Sequence, residues 1–111
     1  MLSRHELTEK IHMVFENNNK GIINEIEECI IRTIEDGIQN IYINLTPYTT
    51  TSFNQLVSYL KYKGYDCKIG CSYATVIDNK INIIAEYYAL VGNIKEDFPL
   101  AQFITYLEIR V

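Results

Sequence analysis

The widest apolar arc in the chain does most to limit its fold. In a helix, with about 100° between successive side chains, Ile22, Ile23, Ile26, Cys29, Ile30 and Ile34 gather on one side of residues 22 to 36. Glu25, Glu28, Arg32 and Glu35 occupy the other. So broad a stripe needs two neighbours, and the flanking segments offer a second helix and a sheet. Gly37 stands where a C-terminal cap is expected.

The earlier segment supplies the helix. Ser3 and Glu6 form a capping box, with Leu2 and Leu7 as its hydrophobic staple. Leu7, Ile11, Val14 and Phe15 then share one face, which we expect to turn inward. The polar run of residues 17 to 21 is expected to end this helix before the next begins.

After Gly37 the apolar period changes from helical to alternating. Ile41, Ile43 and Leu45 alternate with Tyr42 and Asn44, as in a strand. A third helix follows with Phe53, Leu56, Val57 and Leu60 inward, closed by Gly64. Tyr65, Cys67 and Ile69 predict a strand face, and residues 72 to 87 a hairpin turning at Asp78 and Asn79. In residues 100 to 111, Leu100, Phe103, Ile104 and Leu107 suit a helix, while Leu107, Ile109 and Val111 alternate. β-branched and aromatic content favours a strand. The expected fold class is α+β in one domain spanning residues 1–111. Two N-terminal helices and a third pack on one face of a mostly antiparallel sheet of about four to five strands. The strand–helix–strand portion could form one parallel crossover.

Composition narrows the function classes. A chain of 111 residues should bury roughly two thirds of its unfolded surface, enough for one core. The net charge of −4 speaks against general nucleic-acid affinity. No apolar run is long enough to span a bilayer, and Arg4, His5 and Glu6 stand where a signal peptide would be apolar. Three cysteines, Cys29, Cys67 and Cys71, cannot all pair within one chain, which fits a reducing, cytoplasmic setting. Isoleucine, asparagine, lysine and tyrosine together dominate and tryptophan is absent. That usage follows AT-rich coding, as in many viruses, phages and some bacteria.

Four constellations could carry chemistry. Thr49, Thr50, Thr51 and Ser52 join the first strand to the third helix, where free N–H groups can hold an anion. That joint has neither the glycines nor the lysine of a phosphate loop. A cap, with Ser52 first and Gln55 three residues on, explains the joint more simply. His5, Glu9 and His12 recur at i, i+4 and i+7, opposite the Leu7–Ile11–Val14 stripe, and read as a solvated face rather than a metal site. Cys67 and Cys71 would lie roughly 13 Å apart on an extended strand, too far for a disulfide, and read as buried small hydrophobes. No nucleophile–base motif accompanies the two histidines. Asp66, Asp78 and Glu86 suit turn and strand positions.

The fourth is tyrosine-rich. Tyr59, Lys61, Tyr62, Lys63 and Tyr65 cluster around the end of the third helix, with Tyr62 pointing away from its apolar stripe. Exposed tyrosine beside long cations suits a protein interface. Lysines complementing a helix C-terminus are the plainer alternative. Together these features lead us to expect a non-catalytic protein-interaction module without cofactor or metal. Its partner would be another protein or a second copy of itself. A small accessory or inhibitor protein of a virus or phage, acting on a host protein, would fit the composition. The alternative is a small-ligand or anion-binding domain using Thr49 to Ser52.

Overall fold

Each helix begins or ends where a specific side chain or glycine satisfies its free backbone groups. The computed structural model describes residues 1–77, 80–84 and 100–110. Helix α1 spans Arg4–Asn18, with the Ser3 hydroxyl accepting the Glu6 N–H at 3.1 Å. Helix α2 spans Lys20–Glu35, so the polar run of residues 17 to 21 is helical on both sides of a one-residue break rather than a loop. The break is Asn19, at φ −132° and ψ 34°. Its amide nitrogen donates to the Phe15 carbonyl at 2.9 Å, and its amide oxygen accepts from the Thr51 hydroxyl at 3.2 Å. A side chain that takes over backbone bonding in this way competes with helix continuation.

Two glycines close helices in the same manner. Gly37 has φ 74°; its N–H reaches the Ile34 carbonyl while the Ile38 N–H reaches that of Thr33. Helix α3, Phe53–Tyr62, ends at Gly64 (φ 96°), with Gly64 N–H on Lys61 and Tyr65 N–H on Leu60. Both are Schellman closures, which need the left-handed conformation that glycine adopts without strain.

The described residues form four strands, β1 (Asn40–Asn44), β2 (Asp66–Ile77), β3 (Lys80–Ile83) and β4 (Gln102–Arg110). Their order is β1-β4-β2-β3, and every neighbouring pair is antiparallel. Strands β1 and β2 therefore run parallel with β4 between them, so the strand–helix–strand crossover spans one intervening strand. The ambiguous last segment is a strand, and it lies in the centre of the sheet. Residues 66 to 77 form one continuous strand rather than two. Asp66 to Ala74 pair with β4, and Ala74 to Ile77 pair with β3. The sheet curls enough to bring its edge strands β1 and β3 near each other. Ile77 sits opposite Lys80; the turn expected at Asp78 and Asn79, and Glu86, lie outside the described residues.

The main core fills the space between the helices and one sheet face. Ile41, Ile43, Cys67, Leu107 and Ile109 meet Phe15, Ile22, Ile23, Ile26, Ile30, Leu56, Tyr59 and Leu60 there. Ile34, expected in the buried arc of α2, is instead exposed, because the stripe leaves the core after Ile30. The architecture is α+β: among the described residues, three helices pack with a curled four-stranded antiparallel sheet.

Candidate functional site

Helix α1 packs through an unexpected side. His12 and Phe15 are its buried residues; of the four expected to face inward only Phe15 does, and Leu7, Ile11 and Val14 are 48%, 62% and 58% exposed. Relative to the expected orientation, the helix is turned by roughly one residue step, about 100°. The physical reason is aromatic packing with α3. The His12 ring stacks on Tyr62 at 4.2 Å between centroids with planes 20° apart, and Phe15 lies 5.3 Å from Tyr59. Offset and stacked aromatic pairs add about 0.5–1.5 kcal/mol beyond the area they bury.

This orientation leaves a groove of about 360 Å³ along α1. Leu7, Ile11 and Val14 form its α1 side, and Gln55 and Ser58 of α3 lie across from them. Lys10 stands at the rim, with Asn18 and Asn19 at the far end. The spacing of four and then three residues places the three apolar side chains in one row, the row by which helices pack together.

The tyrosine-rich cluster is dispersed by the fold. Tyr59 is only 3% exposed and belongs to the core, so its ring is not part of any outer surface. It is buried because its place on α3 faces Phe15. Burial, aided by neighbouring Glu16, pushes its phenol up to about 12. Lys63 places its ammonium 5.7 Å from the Tyr59 ring centre, and Tyr65 is half-buried against the core. Lys61 and Tyr62 are exposed. Tyr62, stacked on His12, lies beside the α1 groove rather than on a separate patch.

The hydroxyl joint acts in capping and bracing. Ser52 accepts the Gln55 N–H at 3.3 Å, as a helix cap, and Thr51 donates to Asn19. Thr49 and Thr50 are exposed. The histidine face divides: His5 pairs with Glu9 at 3.3 Å in solvent, whereas His12 is buried against Tyr62, so the three do not share a solvated face. Cys67 is buried, and that burial raises its thiol pKa. Cys71 is exposed rather than buried, with its sulfur 3.6 Å from the Thr105 hydroxyl. Among the described residues no group of three metal-ligating side chains converges.

The opposite sheet face holds a polar cluster that sequence reasoning missed. The Glu108 carboxylate on β4 accepts from the Tyr42 hydroxyl at 3.3 Å and pairs with Lys68 at 3.2 Å. Desolvation and then Glu108 raise the Tyr42 phenol, and Glu108 raises the Lys68 ammonium. Beside them Tyr106 lies over Gly70, where a Cβ would sit 2.5 Å from the ring. These are cross-strand pairs joining opposite charges and aromatic surface. The alternation of β4 signals Glu108 as an outward residue, but its partners are set only by strand register. Both Glu108 oxygens have protein partners, so the cluster reads as sheet cohesion.

Compared with protein-family models, with curated proteins and with solved structures, the chain matches none. The reading of its function therefore rests on the geometry.

Proposed function

We propose that this protein is a small non-catalytic protein-interaction module whose docking face is the outer side of α1 with the rim of α3. One observation carries the reading: Leu7, Ile11 and Val14 form an aligned apolar row in solvent while the same helix buries a histidine. A contiguous exposed apolar patch of this kind marks an interaction surface. Tyr62, stacked on His12, extends it with the aromatic surface common at interfaces. The AT-rich coding signature suits an accessory protein of a virus, phage or bacterium, working on a host or cellular protein in a cytoplasm. No described helix is long and apolar enough to cross a membrane.

The test is a reconstituted binding measurement. A partner recovered with the native chain and then purified should lose at least about tenfold in affinity for Ile11→Asp, equivalent to about 1.4 kcal/mol. The helical circular dichroism should be unchanged, and Tyr62→Ala should weaken binding less. Equal affinity of Ile11→Asp and native protein would remove the α1 face from consideration.

A further inference from the structure

We propose that the α1 groove takes an acidic amphipathic helix: an apolar stripe bordered by carboxylates. This rests on the docking reading above and adds the chemistry of the occupant. Charge is unevenly distributed around α1. Arg4 precedes Leu7 by three positions and Ile11 by seven, while Lys10 precedes Val14 by four. At about 100° per residue, one cation therefore borders each side of the apolar row. The carboxylates of α1 lie elsewhere. Glu9, held by His5, falls on the far side of the helix, Glu6 lies beyond Lys10 as seen from the row, and Glu16 lies against Tyr59. The α3 wall is neutral, made by Gln55 and Ser58. In a chain of net charge −4, the one uncovered apolar row of α1 thus has a cationic border.

Shape and symmetry favour a partner helix over two other occupants. A groove between two helices receives a cylinder, and apolar anchors spaced i, i+3/i+4 and i+7 are how a helix is read in such a groove. A second copy docking on the same face about a two-fold axis near Ile11 would set Lys10 against its own counterpart. Like charges there oppose pairing. A lipid surface suits helices whose polar face is basic, whereas the polar side of α1 carries Glu6 and Glu9.

The experiment uses the full chain, isotopically labelled, and two synthetic helical peptides with one shared leucine stripe. One peptide carries glutamates beside the stripe and the other carries lysines. The glutamate peptide should shift the backbone amide signals of Leu7, Ile11 and Val14 and bind about tenfold or more tightly than the lysine peptide. Added salt should shrink that ratio. The Arg4→Glu, Lys10→Glu double variant, altered only at exposed positions, should reverse the preference. Equal binding, or preference for the lysine peptide, overturns the charge assignment and leaves the docking face standing. A concentration-dependent dimer that shifts the same amides makes a second copy the occupant and overturns the partner class. Binding to phosphatidylserine vesicles through α1, without response to either peptide, overturns it in favour of a membrane. A monomer with no response to peptides or vesicles overturns the docking face itself.

Discussion

Helices α1 and α3 start alike and pack differently. Each opens on a serine whose hydroxyl accepts the N–H three residues on, at 3.1 Å for Ser3 and 3.3 Å for Ser52. Helix α3 then buries Leu56, Tyr59 and Leu60, the side its apolar period marks. Helix α1 buries His12 and Phe15 and leaves its aligned aliphatic row in water. The difference lies in how strongly each sequence prefers one side. On α3 the apolar residues form one stripe. On α1, Leu7, Ile11, Val14 and Phe15 share a face that Arg4 interrupts, and Met13 lies well off it, so the aromatic surface of α3 chooses the rotation. Periodicity says which residues share a face; it says less about which face is turned inward.

The sharpest way to break this comparison is to truncate one aliphatic side chain from each helix. Leu56→Ala should cost about 2–5 kcal/mol, as for a fully buried leucine, while Ile11→Ala should stay within about 0.5 kcal/mol, as for a surface change. Urea denaturation of both variants measures this, and a large loss for Ile11→Ala would mean the row is covered. The two caps sharpen the contrast with a smaller effect. Ser52→Ala should lower global stability by about 1 kcal/mol. Ser3→Ala should act mainly as local fraying, seen as faster hydrogen exchange in the first turn of α1 with the slowest core amides little changed. Equal global losses would show that α1 unfolds only with the core.

The last effect appears only at alkaline pH and concerns Tyr59, the aromatic residue between the two helices. Its phenol is pushed up to about 12 in the folded chain, against about 10 when unfolded. The folded state thus keeps a proton that the unfolded state loses. The resulting stability is complete below about pH 10 and is lost as pH rises through about 12. Tyr59→Phe should flatten the alkaline fall in stability, read from urea midpoints between those limits. Parallel curves for the two proteins would mean that the ring is open to water.

Much of the framework was legible because its causes are local. The Ser3 and Ser52 caps and the Gly37 and Gly64 closures each involve residues within one turn, and all four occur at the expected positions. Strand β1 and the alternation of Leu107 and Ile109 were legible for the same reason. The continuous β2 was not, since Cys71 and Ser72 read equally well as the end of one strand and the start of another. The Tyr42–Glu108 hydrogen bond joins residues 66 positions apart. No local pattern encodes that pairing; it follows from strand register. The candidate site was visible only as a row of residues, and its exposure was the opposite of that expected.

The sequence by itself determined where α1 and α3 begin, where α2 and α3 stop, which residues alternate along the strands, and the α+β class. Those choices depend on backbone bonds and side-chain periods a few residues long. Tertiary structure alone decided that the last strand enters the middle of the sheet, that Tyr59 and His12 are buried, and that Leu7, Ile11 and Val14 face water. Each of these depends on which distant surface packs best against which. A helix whose apolar face is interrupted by a charge has no local preference strong enough to answer that in advance.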